Sequence, residues 1–146
     1  MFGPKDVRMT LEWKGWWDEN PPYHAPVFIL SHEKREPIGM EGGTTFIFVN
    51  DGIESAMRQA RDAAGSKDIA VAGGANVINQ CLAAGFIDEL WLHVAPVTLG
   101  AGKLLFKDVP RIHLKPLSVR TTNLVTHIKY NITKERSKLL GMRSSV

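Results

Sequence analysis

Apolar positions follow two rhythms along the chain. Short unbroken runs, VFIL at 27–30, TFIFV at 45–49 and DIAVA at 68–72, are rich in β-branched and aromatic residues and predict buried strands. Between the second and third, Ile53, Ala56, Met57 and Ala60 recur at helical spacing. Asp51 and Glu54 precede that stripe at the spacing of a capping box, and Gly65 supplies the stop. A second stripe, Val77, Ile78, Cys81 and Leu82, predicts a helix that opens near Ala75 and ends at Gly85. The run DELWLHVAPV at 88–97 begins a fourth strand. Leu124, Thr126, Ile128, Tyr130 and Ile132 then alternate with Val125, His127, Lys129 and Asn131. That period of two predicts a strand over 123–133, paired with 113–120 through a turn near Thr121–Asn123.

The order of these elements is that of one α/β domain over residues 1–133. Its sheet is expected to be mostly parallel, flanked by helices and closed by an antiparallel hairpin. A chain of 146 residues suits one core better than two. Ahead of residue 27 the pattern is broken. Trp13, Trp16 and Trp17 stand beside Pro21–Pro22, which predicts a looped passage whose rings need cover from the core or a partner.

Composition narrows the classes. A hydrophobic share of 44% and a charged share of 23% are those of a globular chain. No apolar run is long enough to span a bilayer, and the first residues do not read as a cleavable signal. Cys81 is the only cysteine, which suits a reducing cytoplasm, and its place on an apolar helix face makes it a small buried hydrophobe. The net charge of +3 belongs to the end of the chain. Lys129, Lys134, Arg136, Lys138 and Arg143 face Glu135 alone, leaving 13 basic and 14 acidic residues before them. Residues 134–146 are read as a solvated basic tail without interleaved aromatics, so neither nucleic acid nor membrane is expected as a partner.

Candidate chemistry gathers at VAGGANV, residues 71–77. Gly73 and Gly74 stand between a predicted strand and a predicted helix, where unpaired N–H groups and the helix dipole favour a phosphate. The pattern is neither G-x-G-x-x-G nor G-x-x-x-x-G-K-[ST], so on the pair alone a phosphate cradle and a plain tight turn both stand. A second glycine cluster, VTLGAGKLLF at 97–106, carries Lys103, read as a solvated cation in a connecting loop. His24, His32, His93, His113 and His127 are dispersed without H-E-x-x-H or C-x-x-C spacing, and no G-x-S-x-G elbow occurs. No metal site is expected.

Taken in order, PPYHAPVFILSH, TFIFVNDGIESAMRQA, DIAVAGGANVINQCLAAGFIDELWLHVAPVTLGAGKLLF and the last hairpin resemble the dihydrofolate reductase-like superfamily over roughly residues 19–133. Within it they look most like the reductase domain of riboflavin biosynthesis and its stand-alone bacterial relatives. The resemblance implies a cytoplasmic, NADPH-dependent reductase, often homodimeric, that acts on a small molecule. The family reaction is reduction of 5-amino-6-(5-phosphoribosylamino)uracil, and a pterin-like or ribosylated pyrimidine substrate is implied here. Leu30, Ser31 and His32 would lie along the adenosine end of NADPH. Gly73, Gly74, Ala75, Asn76 and Val77 would hold the pyrophosphate and adjoining ribose, with a cis peptide inside the glycine pair.

Two departures from the family pattern qualify the reading. Ala72 occupies the substrate-side position where riboflavin-pathway reductases often carry a glutamate. The resembling proteins also have a βα unit, a further strand and a Gly-Arg turn ahead of the equivalent of Met1-Phe2, so a truncated N-terminal part is expected. The resemblance designates no catalytic acid. The competing expectation is a non-catalytic nucleotide-binding or interaction module built on the same fold.

Overall fold

The computed structural model describes residues 16–133. Trp13 and the basic tail lie outside that range. The chain divides into two units at Ile78/Asn79.

In the first unit the apolar runs pair as expected. β1 (Pro26–Leu30) lies parallel to a later strand, Thr45–Val49, with Leu30 opposite Val49. Between them come β2 (Ile38–Gly39) and a single 3-10 turn at Glu41–Gly43, so Thr45–Val49 is β3. β2 runs antiparallel to β3, which gives the order β1-β3-β2. Phe46 is fully buried in the central strand, with Trp16 and Tyr23 edge-on at 5.9 and 6.4 Å. Trp16 therefore meets the core, while Trp17 stays 56% exposed and donates to the Tyr23 hydroxyl at 3.0 Å.

A polar clasp fixes the passage before β1. The buried Thr44 hydroxyl accepts the His24 N–H at 2.9 Å and donates to the Pro21 carbonyl at 3.3 Å. His24 Nδ1 donates to the Gly42 carbonyl at 2.7 Å. Gly42 has a φ of 70°, and a Cβ there would collide with the Asn20 and His24 side chains, so any other residue strains this turn.

α1 (Ile53–Ala64) buries Ser55, Ala56 and Met57 and packs on β1. Its start corrects the sequence reading. Gly52, with φ 101°, is the capping residue, and its carbonyl accepts the Ala56 N–H at 3.2 Å. The helix thus begins one position later than the Asp51–Glu54 spacing assumes, and no side-chain capping bond forms. The end agrees with the reading: Gly65, at φ 60°, donates to the Arg61 carbonyl at 2.9 Å.

The run at 68–72 is a second correction. Ile69 and Val71 are half-buried while Asp68, Ala70 and Ala72 are exposed, which is strand-like alternation, yet the run joins no ladder among the described residues. A strand is defined by its neighbour's backbone, and apolar composition reports burial rather than pairing. The expected mostly parallel sheet does not form either. Among the described residues only β1 and β3 pair in parallel. The α/β class holds with one mixed and one antiparallel sheet.

α2 (Ala75–Ala83) follows the glycine pair and crosses the boundary between the units. It ends in a Schellman motif. Gly85, at φ 71°, donates to Leu82, and Phe86 donates to Cys81.

The second unit holds β4 (Glu89–Val94), β5 (His113–Thr121) and β6 (Thr126–Thr133), all antiparallel in the order β4-β6-β5. The hairpin expected from the alternation is present. Thr122 closes its turn, its hydroxyl accepting the N–H groups of Leu124 and Val125 at 3.2 and 3.0 Å. Leu124 and Val125 therefore belong to the turn and not to the strand. Proline has no N–H for a ladder, and the register shifts between Pro116 and Ser118.

Candidate functional site

Local rules build the start of α2. The Gly74 carbonyl accepts the Ile78 N–H at 3.1 Å, so Gly74 stands at the cap and Ala75, Asn76 and Val77 form the first turn. The N–H groups of a first turn have no partner within their helix and carry its positive end. The Gly73–Gly74 peptide is cis, as the resemblance implies.

The two glycines serve different ends. Gly73 has φ 126°, which disfavours any side chain, although a Cβ would come no closer than 3.9 Å to Ile78 Cδ1. At Gly74 a Cβ would meet nothing within 4 Å, so the space beside the helix start is open. Ala72, just before the pair, is exposed and presents only a methyl group.

The second predicted group sits past the carboxyl end of the parallel pair. Leu30 closes β1, and the Ser31 N–H extends the ladder to the Val49 carbonyl at 3.0 Å. The Ser31 hydroxyl accepts the Glu33 N–H at 3.1 Å, forming a local turn, and His32 is exposed. Ligands of open α/β sheets bind beyond such strand ends. The predicted residues thus form two clusters, one at the end of β1 and one at the start of α2, both in the first unit.

Two contributors escaped the sequence reading. The Arg35 guanidinium lies 4.9 Å from the centre of the Phe48 ring, a cation–π contact that no spacing announces. Asn79, 9% exposed, works in the second unit. Its amide donates to the Leu104 carbonyl at 3.0 Å and accepts the Phe106 N–H at 2.8 Å. That double bond fixes the end of the 97–106 loop, whose Lys103 is exposed. The available signal was a polar residue inside the apolar stripe Val77, Ile78, Cys81 and Leu82. Cys81 itself is buried, and burial pushes its thiol up, away from nucleophilic use.

An open recess of about 690 Å³ lies between residues 17–19 and 38–41. Asp18, Glu19 and Glu41 line it, which disfavours a phosphate, so the recess does not compete with the glycine corner. Among the described residues no helix is long and apolar enough to cross a membrane.

Comparison with known proteins identifies the family of the chain. The family model of the RibD C-terminal domain matches residues 5–128. The uncharacterized protein YyaP of Bacillus subtilis (strain 168) is 36% identical over 109 residues, 71% of this chain and 57% of that protein. The chain therefore spans little more than half the length of that curated relative. A solved structure of a putative riboflavin biosynthesis protein from Shewanella sp. PV-4 matches with a TM-score of 0.62 at 23% identity, over 86% of this chain and 68% of that one. A pyrimidine reductase-like protein from Corynebacterium diphtheriae matches with a TM-score of 0.51 at 21% identity, over 63% and 40%. At such identities these structures speak to the fold alone. The match over most of the sequence, together with the glycine corner at the start of α2, makes the chain a member of the RibD C-terminal domain family.

Proposed function

We propose that the chain is a RibD-like reductase domain that binds NADPH for the reduction of a small heterocyclic substrate. The observation that carries this reading is the open glycine corner at the start of α2. Main-chain N–H groups at the start of α2 suit a diphosphate, because they supply fixed donors without a side chain to desolvate. The empty space at Gly74 is the cradle that a Cβ would fill. Leu30, Ser31 and His32 hold the adenosine end, with the Ser31 turn already ordered by its bond to Glu33.

Bound NADPH supplies the hydride, and the chain's own task is to orient it and exclude water. Ala72 limits the substrate. Its methyl group neither accepts a hydrogen bond nor moves a proton, so the proton that accompanies the hydride comes from another group or from solvent. This disfavours the riboflavin-pathway pyrimidine and favours another hydride acceptor.

Fluorescence titration tests the reading. Gly74→Val fills the open space and is expected to weaken NADPH binding by more than about tenfold, which corresponds to about 1.4 kcal/mol. Unchanged affinity, or equal affinity for NADH and NADPH in the native chain, defeats the proposal. Ala72 also favours a second reading, a nucleotide-binding module without turnover. Retained NADPH binding with no oxidation across a panel of reducible pterins and pyrimidines selects it.

A further inference from the structure

Histidines scattered in sequence meet in the second sheet. The pairing of β4 with β6 sets His93 directly opposite His127, on the face that also carries Trp91 and Lys129. Their Nδ1 atoms are 2.7 Å apart and the rings are edge-on, with centroids 4.8 Å apart. Of the pair, His93 is exposed and His127 half-buried. An Nδ1···Nδ1 hydrogen bond of this kind holds one proton between two imidazoles. A modest turn of either ring frees both nitrogens for a common ligand on the face that solvent reaches.

We propose that His93 and His127 form a surface site for a divalent transition metal that favours tetragonal coordination, with Cu²⁺ first and Ni²⁺ after it. Imidazole is a preferred ligand for both, and Cu²⁺ heads the affinity order for such donors. Zn²⁺ asks for a wider opening of the pair. With metal–nitrogen bonds of about 2.05 Å, adjacent tetragonal positions set the nitrogens about 2.9 Å apart, and a tetrahedron sets them about 3.3 Å apart. The observed 2.7 Å needs only a small opening for the first arrangement.

Among the described residues no third His, Cys, Asp or Glu joins the pair, so water fills the remaining equatorial positions. Binding leaves the proton count of two neutral rings unchanged: the donor ring releases its Nδ1 proton to solvent and takes one at Nε2. Arg120 stands opposite His127 in β5, and its charge opposes the metal.

The test is a titration of the untagged full chain with copper sulfate against glycine as competing chelator, followed by electron paramagnetic resonance. One equivalent of Cu²⁺ with two equatorial imidazole nitrogens is expected. Either His93→Gln or His127→Gln weakens binding by more than about tenfold, since even residues that only orient a metal ligand cost that much when removed. Arg120→Gln tightens it, and His113→Gln leaves it unchanged. In the native chain, proton NMR shows the His93 and His127 ring signals broadening together at substoichiometric copper, a readout independent of any substitution. Copper held by the amino terminus survives both substitutions and overturns the proposal, as does earlier broadening of His24, His32 or His113.

Discussion

The sheet of the first unit and the sheet of the second are built on different codes. In β1 and β3 apolar residues run unbroken, and the centre is a fully buried Phe46 under two aromatic edges. In β4 and β6 they alternate: Leu90 and Ile132 are buried on one face, while Glu89, Trp91 and His93 are exposed on the other. An unbroken run tells how deeply a strand lies and leaves its partner open. An alternating strand tells which residues share a face, and so fixes register as well. The first sheet is therefore held by volume and the second by pairing across strands.

The sharpest way to break this contrast is to remove volume from the first sheet. Phe46→Ala empties a site with no exposure and costs about 3–5 kcal/mol. Chemical denaturation followed by tryptophan fluorescence is expected to show a large loss of stability. A loss below 1 kcal/mol, a fraction of what an emptied aromatic site costs, shows that the first sheet does not depend on this packing.

Next in size is Asn79→Ala. It removes the two hydrogen bonds to the Leu104 carbonyl and the Phe106 N–H, at a cost of about 1–3 kcal/mol for the pair. Hydrogen exchange at Phe106 is expected to accelerate, while the Ile128 and Tyr130 amides in β6 keep their protection. Equal acceleration in both places means that the loop and the sheet unfold together, and that the clamp is not local.

The glycine pair gives a difference of comparable size that is more telling. Gly73→Ala forces a side chain into φ 126° and costs about 1–3 kcal/mol, whereas Gly74→Ala enters open space and leaves stability nearly unchanged. NADPH titration is expected to reverse the order among folded proteins, Gly74→Ala weakening binding although it does not weaken the fold. If both substitutions act alike on stability and on binding, the two glycines do one job and the cradle reading loses its support.

How far the sequence discloses this molecule follows from the same two codes. The helix ends at Gly65 and Gly85 were legible because a left-handed residue closes a helix by local geometry alone. The hairpin was legible because alternation carries register. The run at 68–72 misled because its composition states burial, and pairing is decided by backbone that lies far off in sequence. Asp51 misled by a single position, since Gly52 takes the cap that spacing assigned to its neighbour. At the site, Gly73 and Gly74 stood out by composition and by resemblance. Asn79 and the His93–His127 pair did not, because each acts on atoms 25 to 34 residues away.

The smallest expected effect lies on the exposed face of the second sheet. Lys129 Nζ is 2.8 Å from the Glu89 carboxylate and 4.9 Å from the centre of the Trp91 ring. The hydrogen bond from Lys129 holds the Glu89 carboxyl below its ordinary value, with a weaker contribution from the Trp91 indole. A carboxyl depressed in the folded state adds stability above its unfolded value of about 4.3, and that stability is lost as pH falls through the lower folded value. Solvent screens so exposed a pair, and 0.5 M salt, where the screening length is only about 4 Å, is expected to remove most of it. Glu89→Gln should therefore flatten the acid limb of a melting-temperature profile without moving its neutral plateau far. A plateau shift as large as that of Asn79→Ala would mean that this face holds the second sheet by charge, and the contrast between volume and pairing would have to be redrawn.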